Sequence, residues 1–140
     1  MDTSFIEGLN WPAVLVAALA YFMLGALWYS KLLFANQWIA SSGVDMSKPG
    51  ARKGVGGIMA FTFLLELVVC IGLGILVYRM MLSGFLSGIK LGVFTGVCFA
   101  AIGITISYLY QSKPQVLTLI DSGYHITGNI LAAVILCAWQ

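Results

Sequence analysis

Four long runs of apolar residues, separated by short polar segments, make up most of this chain. The runs cover about residues 11–33, 55–78, 84–110 and 116–139. Each is close to the length of about 20 residues that an α-helix needs to cross roughly 30 Å of hydrocarbon. The apolar positions are continuous rather than alternating, which favours helices over the strands of a membrane barrel. The pattern predicts an all-α membrane protein in which residues 1–140 form one compact bundle of four transmembrane helices.

Composition narrows the function classes. The chain of 140 residues is 61% hydrophobic and only 9% charged, so a soluble domain of this length could not hide its apolar surface. The net charge of +2 is too small to indicate a nucleic-acid partner. Neither an ATP-binding loop nor a dinucleotide fingerprint is present, so no cofactor is expected and an enzyme is not favoured. The three cysteines lie in apolar runs, where they are expected to act as small apolar fillers.

The basic residues predict an orientation. Five of them flank the first and third polar segments, whereas Arg79 is alone on the opposite side and the N-terminal residues Asp2 and Glu7 are acidic. By the positive-inside rule, the loop at about residues 34–54 is cytoplasmic and both termini lie on the outer side. The protein is therefore expected to be a multi-pass component of the inner cell membrane, with its first apolar segment retained rather than cleaved. The five basic residues are Lys31, Lys48, Arg52, Lys53 and Lys113.

Aromatic residues occur near both ends of the predicted spans. Such residues commonly anchor a helix at the membrane interface. The long loop begins with Phe34, Trp38 and Ile39, which could form a short interfacial helix, or the loop could serve only to fix topology. The expected anchors are Trp11, Tyr78 and Trp139 at the outer side and Trp28, Tyr29 and Trp38, together with Tyr108 and Tyr110, at the inner side.

A stripe of small residues runs along the third span at every fourth position. Gly-x-x-x-Gly spacing lets a second helix approach closely, which gains van der Waals contact within the bilayer. The second helix could belong to the same chain or to another copy, and the pattern leaves both open. A homo-oligomer is expected as well, because a lone four-helix bundle has little interior to shelter ionisable groups. The stripe consists of Gly84, Gly88, Gly92, Gly96 and Ala100.

Polar residues inside the apolar runs predict a polar centre. An ionisable group facing lipid would cost several kcal/mol, so these residues should face one another or a wet cavity. At 1.5 Å per residue, Glu66 and His125 lie at similar depths, about 17 Å and about 13 Å from the cytoplasmic end. Steps of four residues also place Asp121, His125 and Asn129 along one face of the fourth helix. The predicted centre consists of Glu66, Lys90, Asp121, His125 and Asn129.

Four interpretations of this centre remain open. It could be a hydrogen-bond network that fixes helix pairing, or an ion or proton path in which His125 titrates near neutral pH. A metal site using Glu66, Asp121 and His125 lacks a His-rich or Cys-rich cluster, so no metal is assigned. For an enzyme, nothing marks an activated nucleophile. The leading hypothesis is a small transport-type protein for an ion or small solute. The alternative is a structural or accessory protein that assembles through the glycine stripe.

Short motifs at both ends of the sequence resemble a small bacterial four-helix membrane family known as a domain of unknown function. The resemblance implies a four-helix membrane fold and implies no activity. Lys31 stands where a proline would be expected, a departure that concerns the turn after the first span. The residues that carry the resemblance are Asn10 and Trp11, then Gly25, Trp28, Tyr29 and Ser30, then Trp38, Gly123, Tyr124, His125 and Trp139.

Overall fold

The computed structural model describes residues 4–140, apart from the side chain of Phe5. Asp2, which contributed to the predicted orientation, lies outside the described residues. Residues 4–140 contain seven α-helices and one π-helical segment, which confirms the predicted all-α class. They are α1 (Ser4–Glu7), α2 (Trp11–Trp28), α3 (Ala35–Ser42), α4 (Val55–Arg79), α5 (Phe85–Thr95), the π segment (Gly96–Ala101), α6 (Ile102–Tyr110) and α7 (Gln115–Ala138).

Four helical stretches in the described part of the chain are long and apolar enough to cross a membrane. The third of them comprises α5, the π segment and α6 in continuous succession. The protein is therefore a multi-pass membrane protein of four helices. Below, the end of the bundle that carries residues 29–54 and the turn between α6 and α7 is called the long-loop end. The four stretches are Trp11–Trp28, Val55–Arg79, Phe85–Tyr110 and Gln115–Ala138.

The first span is shorter than predicted. Helix α2 ends at Trp28, five residues before the expected end at Leu33. The hydroxyl of Ser30 donates to the carbonyl of Leu27 at 2.7 Å and accepts the backbone N–H of Leu32 at 3.2 Å. These local bonds offer the backbone an alternative to the helical ladder, so the chain turns before it re-enters a helix.

The short helix predicted after the first span is present as α3. It ends at Gly43, whose φ of 76° is a left-handed conformation that glycine adopts without a steric cost. Trp38 and Ile39 lie on this helix and are half-buried. Since α3 contacts α7, the segment is part of the bundle's own packing as well as a connection between spans.

Helix α7 is the centre of the bundle. Half of its most apolar window is buried inside the protein, against 28% for each of the other spans. It packs against α2, α4, α5, the π segment, α3 and α6. Small side chains make this possible, because Ala132 and Ala133 of α7 and Ala17 and Ala18 of α2 are fully buried. The least apolar of the four spans therefore makes the most contacts within the protein.

Three glycines of the predicted stripe lie directly on the backbone of α7. A Cβ atom added at Gly92 would come within 2.7 Å of the backbone nitrogen of Ile130. A Cβ added at Gly88 would come within 2.8 Å of the backbone nitrogen of Val134. Gly96 lies in the same way against Ile126, so the contacts between the two helices recur at every fourth residue of each. Of the two partners left open by the pattern, the helix beside this stripe belongs to the same chain.

The π segment shifts the buried face of the third span by one residue. An uninterrupted α-helix would continue the stripe from Gly96 to Ala100, but Ala101 is the buried alanine and Ala100 is only half-buried. Ala100 is therefore displaced from the predicted packing line. A π turn contains an additional residue, which rotates everything after it about the helix axis. As a result Ile104 and Tyr108 of α6 line a cavity that residues of α7 also line.

The end opposite the long loop is closed by Asn10. Its side-chain oxygen accepts the backbone N–H of Ala13 at 3.1 Å and caps the start of α2. Its side-chain nitrogen donates to the carbonyl of Trp139 at 2.7 Å. One asparagine thus joins the first turn of α2 to the residue that ends α7.

Candidate functional site

A cavity of about 770 Å³ lies at the long-loop end of the bundle and is open to the exterior. It is floored by α7 and has α2, α3, α4 and α6 as its walls. From Val55, the first residue of α4, to Glu66 is about 17 Å at 1.5 Å per residue, so the cavity reaches towards the middle of the bundle. Its lining comprises Phe22, Gly25, Ala26, Tyr29, Ala35, Trp38, Ile39, Met46, Val55, Ile58, Met59, Thr62, Glu66, Ile104, Tyr108, Asp121, Tyr124 and His125.

Glu66 is the deepest acid in this lining and is bound by a tyrosine. Only 5% of its surface is exposed. The hydroxyl of Tyr124 donates a short hydrogen bond to Oε1 of Glu66, which joins α7 to α4. The second oxygen, Oε2, is buried and has no hydrogen-bond partner. A buried acceptor without a donor is costly, so this oxygen is a feature that calls for an explanation.

Asp121 is held by two other tyrosines. Tyr29 donates to its Oδ1 at 2.7 Å and Tyr108 donates to its Oδ2 at 2.7 Å. The carboxylate therefore joins α7 to the turn after α2 and to α6, which the π segment rotates towards it. Each oxygen has a donor, so Asp121 is better satisfied than Glu66 although both are buried.

His125 and Asn129 belong to a third group that crosses the bundle. Nδ1 of His125 lies 2.9 Å from the hydroxyl of Tyr21. The amide of Asn129 donates to the same hydroxyl at 3.3 Å and to the carbonyl of His125 at 2.7 Å. Its oxygen accepts a hydrogen bond from Thr95 at 3.1 Å, immediately before the π segment. Nε2 of His125 has no hydrogen bond to any residue within 4–140.

Lys90 is not part of the polar centre, and its inclusion in the predicted set is corrected. It is exposed on the surface of α5, whereas Gly88 and Gly92 on either side of it are buried against α7. Two residues turn a helix by about 200°, so Lys90 faces almost directly away from α7. The predicted depth of Lys90 did not determine which way it faces. A long lysine stem at this position can extend towards the membrane interface.

The predicted relay is replaced by three groups, each organised by tyrosine. No direct hydrogen bond joins any two of Glu66, Asp121 and His125 within residues 4–140, although all three line one cavity. In the same residues, no cluster of three His, Cys, Asp or Glu side chains has a geometry that could hold a metal ion. The arrangement can hydrogen-bond a molecule in the cavity, but it does not form a continuous chain of acids and bases.

Tyr124 is the aromatic hub of the site. Its ring lies 5.4 Å from that of Tyr21 and 5.3 Å from that of Tyr29, both edge to face. The ring of His125 is 4.7 Å away. Gly25 of α2 leaves room for the Tyr124 hydroxyl, because an added Cβ would come within 2.8 Å of that oxygen. The packing fixes the direction in which Tyr124 presents its hydroxyl to Glu66.

The tyrosines were the part of the site that sequence reasoning missed. Tyr29 and Tyr108 were interpreted as interfacial anchors, yet both donate to Asp121. Tyr21 is not among the predicted site residues, although it is one of the largest fully buried side chains. The available signal was the shortage of donors: three polar acceptors on one helix need partners, and tyrosines on facing spans can supply them.

The four tryptophans and Tyr29, all predicted anchors, divide by the end at which they lie. Trp11 and Trp139 are exposed at the end opposite the long loop. Trp28 and Trp38 are half-buried at the long-loop end, as is Tyr29. The indole of Trp28 donates to the carbonyl of Ile120 at 3.0 Å, and the rings of Tyr29 and Trp38 meet edge to face at 6.0 Å. At this end the aromatic residues contribute to the site itself.

The motifs at the end of the first span and in the fourth span meet in the structure. Besides the contact of Gly25 with Tyr124, an added Cβ at Gly123 would come within 3.1 Å of the Trp28 ring. No curated protein and no solved structure matches this chain. A family profile does match, over residues 12–137, and it carries the description "Protein of unknown function (DUF1761)". Because the match covers nearly the whole sequence, the chain belongs to this family of unknown function.

Proposed function

We propose that this protein is a small transport-type membrane protein that admits a small solute from the long-loop end to a site at Glu66 and His125. The observation that carries the proposal is the open cavity of about 770 Å³ that both residues line. A purely structural polar cluster needs no cavity, because its groups satisfy one another in a dry interior. Glu66 lines this cavity, and its buried Oε2 has no hydrogen-bond partner, as expected for a group that awaits a ligand. His125 lines the same cavity.

The lining favours a small molecule over a bare ion. Small-molecule sites are typically about 300–1,000 Å³, mostly apolar, with a few polar groups that fix orientation. In this cavity aliphatic and aromatic residues such as Ile58, Met59 and Trp38 surround a few polar groups. A path for bare ions would instead need polar or carbonyl groups along its length.

The proposed orientation places the cavity mouth in the cytoplasm. The basic residues of the first and third polar segments lie at the long-loop end, and cytoplasmic loops carry such residues in excess. In the inner cell membrane the solute would therefore enter the protein from the cytoplasm or from the inner leaflet. A homo-oligomer is part of this proposal, with contacts outside the glycine stripe.

The alternative, an accessory protein that assembles through the glycine stripe, has less support. Gly88, Gly92 and Gly96 are already covered by α7 of the same chain. A partner helix on this face would have to displace the central helix of the bundle. An accessory role would therefore need another surface, and the glycine pattern no longer argues for one.

Thiol labelling in membrane vesicles tests the proposal. In a Cys98→Ala background, which removes the exposed cysteine and keeps the two buried ones, Thr62→Cys places a thiol on the cavity wall. Phe61→Cys is the matched control, since Phe61 is 62% exposed on the same helix but does not line the cavity. A water-soluble, membrane-impermeant maleimide reacts only with a hydrated thiol.

Vesicles of opposite orientation expose either the long-loop end or the other end of the protein to the maleimide, and they give distinct outcomes. A protein that exposes its site alternately to both sides is labelled at position 62 from either side, faster from the long-loop side, while position 61 is inert. Labelling from the long-loop side alone would contradict transport and leave a binding cavity. Equal inertness at both positions would show that the cavity is dry and would overturn the proposal.

A further inference from the structure

We infer that the solute is a protonated amine with an apolar body, whose ammonium N–H donates to Oε2 of Glu66. This inference rests on the proposed function of the cavity and names the chemical class that it takes. The supporting observations are an acceptor without a donor, the use of the neighbouring tyrosine donors by other partners, and a lining that includes two carboxylic acids but no lysine or arginine.

The first observation is the state of Glu66. Only 5% of the surface of Glu66 is exposed, and the residue lines the cavity. Its Oε2 has no hydrogen-bond partner. Leaving a buried acceptor unsatisfied costs about 1–3 kcal/mol, and more for a charged group. A ligand that brings a donor to this oxygen removes the penalty, whereas a ligand with only acceptors leaves it in place.

The second observation is that the tyrosine donors of the cavity are already used. Tyr124 donates to Glu66, and Tyr29 and Tyr108 donate to Asp121. A phenol has one O–H, so each of these oxygens can now only accept. His125 can offer either a donor or an acceptor, depending on its tautomer. The tyrosine hydroxyls beside Glu66 and Asp121 therefore offer acceptors rather than donors, and a molecule that supplies donors complements them.

The third observation is the sign of the charge. The lining includes Glu66 and Asp121, and it includes no lysine or arginine. Lys90, the basic residue within the third span, lies on the outward face of α5. Negative groups in a low-dielectric site attract a cation and repel an anion more strongly than they would in water.

The aromatic and aliphatic walls determine the rest of the ligand. An ammonium group is attracted to the face of a tyrosine or tryptophan ring, and Tyr124 and Tyr29 lie at the polar end of the cavity. Ile58, Met59 and Ile104 line it as well, and they suit an apolar body. A metal ion does not fit this lining, because no group of three ligating side chains exists within residues 4–140.

Three probes of one shape test the inference on the full chain in nanodiscs of zwitterionic lipid at pH 7. They are 3-phenylpropylamine, its neutral analogue 3-phenylpropanol and its anionic analogue 3-phenylpropanoate. Binding is followed by the fluorescence of the tryptophans, two of which, Trp28 and Trp38, lie at the long-loop end. Empty nanodiscs supply the correction for partition into lipid. We expect the amine to bind about 10-fold tighter than the alcohol, and the carboxylate to bind most weakly.

Glu66→Gln tests the assigned atom. This change keeps the shape of the side chain but removes the charge and replaces one acceptor by a donor. The preference for the amine over the alcohol should disappear, while binding of the alcohol changes little. Glu7→Gln is the matched control, since Glu7 is an exposed acid outside the cavity, and it should keep the full preference.

The outcomes separate the inference from the proposed function. If the alcohol or the carboxylate binds as tightly as the amine, the inference is overturned while the cavity remains a solute site. Retention of the amine preference in Glu66→Gln also overturns it. If none of the three probes binds beyond partition into lipid, the inference falls; if position 62 is also inert to maleimide, the proposed function falls with it. The comparison of the three probes on the unaltered protein holds even where Glu66→Gln fails to fold.

Discussion

The hydroxyl of Tyr124 donates a hydrogen bond to Oε1 of Glu66, and this bond joins the central helix α7 to α4. The same tyrosine ring packs edge to face against Tyr21 and Tyr29 of the first span and the turn after it. One residue thus connects three parts of the bundle and also holds the acid that lies at the inner end of the cavity. Stability and the proposed recognition of a ligand therefore involve the same side chain.

Tyr124→Phe should destabilise the protein by about 1–3 kcal/mol, because both oxygens of Glu66 then lack a donor in a buried site. The ring contacts are kept, so the loss reports on the hydroxyl. The measurement is the free energy of unfolding in detergent micelles titrated with a denaturing detergent. Tyr110→Phe serves as the control, since Tyr110 is 90% exposed, and should change little. Equal stability of the two variants would show that Glu66 finds another donor.

Gly92→Ala should destabilise by about 1–3 kcal/mol, because the added methyl group overlaps the backbone of α7 and forces the helices apart. Gly103→Ala is the matched change later in the same span, where an added Cβ meets nothing within 4 Å. It should be neutral or stabilise by up to about 1 kcal/mol through helix propensity. The measurement is the free energy of unfolding of both variants under the same conditions. A tolerated Gly92→Ala would contradict the close approach of α5 and α7.

Tyr29→Phe and Tyr108→Phe should each cost about 1.5–3 kcal/mol, because each removes one of the two donors to Asp121. The double variant should cost more, since the buried carboxylate then has no donor. Adding Asp121→Leu to the double variant should restore part of the lost stability by removing the unsatisfied charge. A triple variant no more stable than the double would mean that water or another group already satisfies Asp121. Thermal unfolding of the unaltered protein and the four variants provides the comparison.

Thr95→Val should destabilise by about 1 kcal/mol more than Thr105→Val. Each hydroxyl lies within hydrogen-bond distance of the carbonyl four residues earlier in the third span, at 2.9 Å and 2.7 Å, and the single hydroxyl proton of Thr95 is shared between that carbonyl and Asn129. Only Thr95 also bonds Asn129, so the difference between the variants isolates that contact between spans. Equal effects of the two changes would show that Asn129 does not depend on Thr95. The comparison again uses the free energy of unfolding in micelles.

Hydropathy was sufficient to predict the four spans, because length and apolar continuity set which segments can cross a membrane. It could not place the end of α2, which depends on hydrogen bonds made by the side chain of Ser30. It also could not reveal the π segment, which moves the packing from Ala100 to Ala101. Such local departures from a regular helix leave no trace in an average over a window of residues.

The site was only partly predictable for a related reason. Depth along a helix follows from residue number, and Glu66, Asp121 and His125 do line one cavity. Direction around the helix axis also follows from the sequence for Lys90, because this residue stands two positions from both Gly88 and Gly92 and therefore faces away from the glycine stripe. The tyrosine partners depend on which helices are neighbours, and hydrogen-bond donors on other spans can be assigned only once that arrangement is known.

The π segment divides the third span into two parts that are packed differently against α7. On one side of it, α5 has no clearance from α7, because the glycines bring the two backbones into contact. On the other side, α6 has no buried residue, and Tyr108 is its side-chain hydrogen bond to α7. A change in the angle between α5 and α6 at the π segment would widen or narrow the cavity without disturbing the glycine contacts. A change at the bond between Tyr108 and Asp121 would therefore act on the cavity wall formed by α6 and leave the packing of α5 on α7 intact.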